Sequence, residues 1–182
     1  MNSDDLHEPG TLSKVAQYFS EHPDKDAVFG STIWIDADDK PLRVHHEIPF
    51  KRFIWLYTYN YIPGMSMFWR RGIYEQVGGL NPEFNLAMDA DLWIRFSNVG
   101  EIGHVRAIWS RMRFYPDQKN RRLREASDQE DLIIRAREWG TDRPSFLSAK
   151  RNIAQILRLV WKMTTGCYPL GYRRYIERIE AQ

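Results

Sequence analysis

The spacing of apolar residues changes along this chain between a helical and an extended pattern. Apolar residues three and four positions apart predict a helix over residues 9–20 and another over 89–99. Runs of aliphatic and aromatic residues predict strands over 27–35 and 102–112. Residues 40–48 have the pattern of a return strand that pairs with the first of these strands. The first two thirds of the chain therefore mix helices with strands.

The segment between these elements is rich in aromatic residues. Residues 49–61 form a dense aromatic helix or loop, in which most rings are expected in the core and some could form a rim that faces a ligand. A strand is predicted over 65–69, a short helix over 71–77 and a longer helix over 128–139. Gly78 and Gly79 allow a sharp turn after the short helix.

The character of the chain changes after Pro144. The sequence predicts a domain over residues 1–145, followed by a basic amphipathic helical tail over residues 146–182. Two apolar stripes at helical spacing lie among Lys and Arg residues; they consist of Ile153, Ile156, Leu157, Val160 and Trp161, and of Tyr172, Tyr175, Ile176 and Ile179. Such helices either lie on an anionic membrane or dock on their own domain, and both alternatives stay open.

Composition bounds the class of protein. A length of 182 residues is enough for one domain with a core, and 14% aromatic residues argue against disorder. The net charge of +2 gives no support for binding nucleic acid. A lone cysteine, Cys167, excludes an internal disulfide and fits a reducing compartment. No apolar run reaches the roughly 18 residues of a spanning helix. We therefore expect a cytoplasmic protein, at most at the inner face of the membrane.

Acidic residues cluster at two junctions between an apolar segment and a helix. One cluster contains Asp4 and Asp5, with Asn2 beside it, and the other contains Asp89 and Asp91. Carboxylates that share a cleft bind a hard cation or move protons, whereas isolated ones cap helices. A third acidic run, residues 36–39, lies between two extended segments and is predicted to be a hairpin turn rather than a metal site.

The sequence segments around the two acidic clusters resemble motifs of family 2 glycosyltransferases, which have the GT-A fold. Asn2-Ser3-Asp4-Asp5 followed by Pro9-Gly10 is similar to the family's metal-binding segment. Gly78-Gly79 followed by Met88-Asp89-Ala90-Asp91-Leu92-Trp93 is similar to its second signature. The family's connecting strands are matched by residues 28–31 and 65–71. Its closing Arg-x-His segment is similar to residues 113–119, in which Tyr115 replaces His. The resemblance covers roughly residues 1–120.

The resemblance implies an α/β fold that is a partial GT-A (nucleotide-diphospho-sugar transferase) fold, with a mixed sheet, flanking helices and C-terminal amphipathic helices. The family's nucleotide-binding half, about a hundred residues that cradle the base and ribose, would precede Asn2. The chain is therefore expected to be a truncated form that folds in part and does not catalyse transfer alone.

The resemblance also implies a role for each site residue. Asp4 and Asp5 would bind a divalent cation, Mg²⁺ or Mn²⁺, with Asn2 in support, and Asp89 would be the catalytic base. Met88 stands where relatives usually have Glu.

Further roles follow from the same comparison. Asp91 would be a helix-start or supporting carboxylate. Arg113 and Tyr115 would contact the donor diphosphate, although a surface ion pair is an equal alternative for Arg113. Residues expected on the acceptor side are Met65, Ser66 and Trp93.

The implied function is metal-dependent, inverting transfer of a sugar from a nucleotide-sugar donor to a glycan or lipid-linked acceptor. The alternative is a glycan-binding or assembly fragment without catalysis. A third hypothesis is a two-carboxylate glycoside hydrolase. Metal dependence and binding of a nucleoside diphosphate distinguish the first from the third, and turnover distinguishes the first from the second. Separately, the basic amphipathic pattern of residues 146–182 predicts either peripheral membrane contact or docking on the domain.

Overall fold

A computed structural model describes residues 5–114 and 122–167 of the chain. At its centre lies β2 (Ala27–Ile35), which is buried over nearly its whole length. Its run of apolar, β-branched and aromatic residues favours an extended backbone with both faces covered. The strand 27–35 predicted from the sequence is confirmed.

Within the described residues, five strands form a mixed sheet around β2. The order is β1 (Leu6–His7), β5 (Ile102–Arg113), β2 and β3 (Pro41–His45), and β4 (Met67–Trp69) also pairs with β2. β5 runs parallel to β2, whereas β3 and β4 pair with β2 in the antiparallel sense along successive parts of its other edge. β1 is antiparallel to β5. The α/β fold with a mixed sheet and flanking helices is thus confirmed.

Two apolar clusters lie on opposite faces of the sheet, because successive side chains of β2 point to opposite sides. Val28 packs with Val15 of α1 (Thr11–Glu21) and with Trp109. Phe29 belongs to the larger cluster on the other face. That cluster includes residues of α2 (Arg52–Tyr57), α3 (Arg71–Gln76), α4 (Met88–Val99) and α5 (Arg124–Trp139).

The boundaries of several elements differ from the sequence predictions. The predicted strand over 65–69 divides into a 3₁₀ turn, Gly64–Ser66, and β4. The predicted helix over 128–139 begins earlier, at Arg124. The first stripe of the tail forms α6 (Leu147–Thr164), whereas the second stripe lies outside the described residues. In the part of the chain that is described, no helix has the length and apolar character to cross a bilayer.

Candidate functional site

Asp89 lies in the first turn of α4 and is partly buried. Its Oδ1 atom accepts a hydrogen bond from the backbone N–H of Ala90 at 2.7 Å, and Oδ2 accepts one from Nδ2 of Asn60 at 3.3 Å. A carboxylate at this position is also stabilised by the positive end of the helix dipole. The side chain is therefore held in one orientation by a helix on one side and a loop on the other.

The environment of Asp89 makes its carboxylate unusually basic. Burial raises the pKa of Asp89, the hydrogen bonds from Ala90 and Asn60 lower it in part, and the negative charge of Asp131 raises it further. Burial is the largest of these effects because it disfavours the charged form. A carboxyl group with a raised pKa accepts a proton more readily than an exposed Asp does.

Asn60 is itself fixed by two further hydrogen bonds. Its Oδ1 atom accepts from Nε1 of Trp55 at 3.3 Å and from the backbone N–H of Ile62 at 3.2 Å. With both oxygen lone pairs used in this way, the amide is oriented so that its NH₂ group points at Asp89. A Cβ atom on Gly64 would lie 3.4 Å from Oδ2 of Asp89, so the backbone of the 3₁₀ turn also borders the carboxylate.

Strand β1 approaches the same 3₁₀ turn from the sheet. Asp5 is 4% exposed and immediately precedes β1. In β1, Nε2 of His7 donates a hydrogen bond to the backbone carbonyl of Met65 at 3.1 Å. His7, two residues after Asp5, and Asp89 thus border one short turn, residues 64–66, although they are distant in the sequence.

The Asp-rich segment 36–39 forms the predicted hairpin turn between β2 and β3. Oδ1 of Asp36 accepts the backbone N–H groups of Asp38 at 2.8 Å and Lys40 at 3.0 Å, which is typical of a turn closed by an Asp side chain. The interpretation of this run as a turn is confirmed.

Arg113 connects this turn to Asp5. Its guanidinium donates to the backbone carbonyls of Asp36 at 3.2 Å and Ala37 at 3.0 Å, and it forms an ion pair with Asp39 at 2.7 Å. Its backbone N–H donates to Oδ1 of Asp5 at 3.1 Å. In this structure the guanidinium forms the ion pair that was the alternative to a diphosphate contact.

Asp91 forms ion pairs within α4 and between α4 and α5. It is fully buried, and its two oxygens contact Arg95 and Arg137 at 2.6 Å each. The pair with Arg95 lies within α4, and the pair with Arg137 joins α4 to α5. Because a buried carboxylate without such partners is strongly destabilising, Asp91 fixes the packing of the helix that carries Asp89.

Two of the three residues expected on the acceptor side lie in the core. Ser66 is fully buried and donates to the carbonyl of Ser31 at 3.0 Å. Trp93 is 2% exposed and packs against Trp69 and Phe96. Met65, the third, is partly exposed and contributes its carbonyl to the contact with His7.

The predicted metal site is described only in part. Asp5 is described, whereas Asn2, Asp4 and Tyr115 lie outside the described residues. Within residues 5–114 and 122–167, no group of three or more His, Cys, Asp or Glu side chains is arranged to hold a metal ion. Oδ1 of Asp5 accepts the backbone N–H of Arg113.

Two residues that orient the site were missed in the sequence. Asn60 lies in the aromatic run 49–61, where a single amide between two tyrosines was the available signal. Glu130 accepts the backbone N–H groups of Leu86 and Ala87 at 2.8 Å each, so it holds the loop that leads into α4. No local spacing reveals this second contact, because the partners are more than 40 residues apart.

An open groove of about 390 Å³ lies among α2, α5 and α6. Its lining combines an aromatic ring, aliphatic side chains, hydroxyl and amide groups, and charges of both signs, supplied by Leu56, Tyr57, Thr58, Asp128, Asp131, Leu132, Arg135, Arg151 and Gln155. Asp131 is also the residue whose charge raises the pKa of Asp89.

No family model matches this chain, and no curated protein sequence matches it. Any assignment of function consequently rests on the residues and on the geometry described above.

Proposed function

We propose that this protein contains the catalytic and acceptor-binding half of a glycosyltransferase similar to those of family 2. Such an enzyme transfers a sugar from a nucleotide-sugar donor to a hydroxyl group of a glycan or lipid-linked acceptor, in the cytoplasm. The observation that carries the proposal is Asp89, a partly buried carboxylate with a raised pKa that Asn60 and the first turn of α4 hold in place. The alternative, a glycan-binding fragment without catalysis, requires no such base.

The proposed chemistry is a single displacement. The acceptor oxygen forms a bond to the anomeric carbon while the bond from that carbon to the diphosphate oxygen breaks, and the nucleoside diphosphate leaves with the electron pair. Asp89 takes the proton of the acceptor hydroxyl. Attack from the side opposite the leaving group inverts the configuration. A divalent cation held by Asp4 and Asp5 would neutralise charge on the departing diphosphate.

The groove among α2, α5 and α6 supports binding of a polyhydroxyl acceptor. The amide of Gln155 can exchange hydrogen bonds with sugar hydroxyls, and Tyr57 offers an aromatic ring. The volume of about 390 Å³ falls within the range of small-molecule sites.

The decisive experiment is the substitution Asp89→Asn in the full-length protein. We expect transfer to be lost while the nucleoside diphosphate still binds in the presence of Mn²⁺, because Asn cannot accept the proton. The matched control is Asp38→Asn, which changes an exposed turn and should leave turnover near normal. Turnover would be measured with a panel of nucleotide sugars and acceptors, and binding by calorimetry.

Each outcome separates the hypotheses. Near-normal turnover of the Asp89→Asn variant would remove Asp89 from the role of base. Saccharide binding without transfer from any donor would favour the glycan-binding alternative. Robust turnover by residues 1–182 alone would show that the predicted donor-binding half is not needed.

A further inference from the structure

Helix α6 docks on the domain through its basic side. Arg158 Nη2 and Lys162 Nζ contact Oε1 of Glu47 at 2.6 and 2.7 Å. The Glu47 side chain is 1% exposed, so the two cations face a buried carboxylate. Ala154, on the same side of the helix, is fully buried. The side of α6 that carries these charges therefore faces the protein.

The opposite side of α6 is apolar and exposed. Six aliphatic side chains on it keep between 44% and 65% of their surface in solvent: Ile153, Ile156, Leu157, Leu159, Val160 and Met163. Phe146, just before the helix, is 82% exposed. A surface helix of a soluble domain normally has the reverse orientation, with its apolar stripe facing the core. A continuous exposed apolar face of this kind marks a surface that binds a protein or a membrane.

The inverted orientation is fixed by Glu47. Rotating α6 to bury its apolar stripe would remove Arg158 and Lys162 from the buried carboxylate and leave that charge without cations. Removing the partner of a buried charge typically costs about 3–5 kcal/mol. The cluster thus holds the apolar face toward solvent.

The charge of the segment indicates the occupant of this face. Residues 146–182 contain seven of the 26 Lys and Arg residues but only two of the 24 Asp and Glu residues. Residues 1–145 contain the other 19 basic and 22 acidic residues, so the positive charge is concentrated in the segment that carries the apolar face. An apolar helical face within a basic segment fits an anionic lipid surface. A second copy of the chain would bring the same positive charge to the interface.

We propose that the exposed face of α6 binds peripherally to an anionic membrane, with its aliphatic side chains among the lipid tails and Lys150 and Arg151, at the start of the helix, near the headgroups. This inference stands apart from the proposed transferase function, because it depends on none of the residues around Asp89.

The test is sedimentation of the full chain with lipid vesicles. One set contains phosphatidylcholine alone, and the other contains about one third phosphatidylglycerol. We expect binding to the anionic vesicles that weakens at high salt, and at least tenfold weaker binding for the double variant Ile156→Asp/Val160→Asp. The matched control is Ile133→Asp on α5, because Ile133 is 59% exposed but lies on another helix.

Circular dichroism would confirm that all variants fold. Absence of binding to anionic vesicles by the unchanged chain would overturn the proposal, as would equal losses for the α6 and α5 variants. Light scattering supplies a further check. If the unchanged chain is a dimer that ignores vesicles and the double variant is a monomer, the face is a contact between two copies and the membrane proposal is wrong.

Discussion

Replacing Glu47 by Gln should release α6 from the domain. The Glu47 carboxylate is the point at which α6 contacts the segment after β3, since Arg158, Lys162 and His45 all approach Oε1, at 2.6, 2.7 and 3.3 Å. The substitution keeps the size of the side chain and removes its charge. Two cations then remain in a largely buried site without a counter-charge.

The expected cost follows from the burial of the partners. Loss of one member of a buried ion cluster costs about 3–5 kcal/mol. The side chains of Arg158 and Lys162 keep 14% and 16% of their surface exposed, so water compensates a part of the loss. We therefore expect Glu47→Gln to lower the free energy of unfolding by about 3 kcal/mol, a large part of the 5–15 kcal/mol typical of a domain.

Two measurements check this prediction. Urea unfolding followed by circular dichroism reports the change in stability. Thiol labelling of Cys167 reports the release of α6, because Cys167 is 4% exposed and its Sγ–H donates to the carbonyl of Glu47 at 3.5 Å. A local opening that is easier by about 3 kcal/mol raises the labelling rate on the order of a hundredfold.

The control is Glu75→Gln, which removes an ion pair between Glu75 and Arg71. Its distance of 2.6 Å equals that between Glu47 and Arg158, but the side chains of Glu75 and Arg71 are 59% and 89% exposed. Its cost should be below about 0.5 kcal/mol. Similar losses for both variants, or unchanged protection of Cys167 in Glu47→Gln, would refute the reasoning.

Two further predictions concern pH. Burial lowers the pKa of His45 and of His104 to about 4, from 6.5. As pH falls below 6.5, these histidines take up protons in the unfolded chain but not yet in the folded one. The free energy of unfolding therefore decreases between pH 6.5 and pH 4, by on the order of 2–3 kcal/mol per histidine. Urea titrations at several pH values should show this loss, and His104→Gln should reduce it. A flat profile would contradict buried neutral histidines. For Asp89 the sign is opposite: because its pKa is raised, its ionisation destabilises the fold as pH rises. The Asp89→Asn variant should gain stability relative to the unchanged chain between acidic and neutral pH, and a constant difference would argue against the raised pKa.

Local interactions explain which elements were predictable from the sequence. The apolar run of β2 and the helical spacing in α4 act between neighbouring residues, and both elements formed close to where the pattern placed them. The turn at Asp36 depends on bonds to Asp38 and Lys40, two and four residues away, so turn chemistry alone predicted it. The positions of Asp89 and Asp91 at the start of a helix were predictable for the same reason.

The environment of the candidate site was not predictable, because it depends on distant partners. Asn60 contacts Asp89 across 29 residues, and the guanidinium of Arg113 contacts the carbonyl of Asp36 across 77 residues. No periodicity or spacing records such contacts. The burial that raises the pKa of Asp89 exists only after α4 and the segment around Asn60 have packed together.

Helix α6 shows the same division most clearly. Its sequence determined that it would be a helix with one apolar and one basic side. Which side faces the domain was decided by Glu47, which lies 111 residues before Arg158. A buried carboxylate requires cations more strongly than an exposed aliphatic stripe requires a cover, so the tertiary structure turned the basic side inward and left the apolar side in solvent.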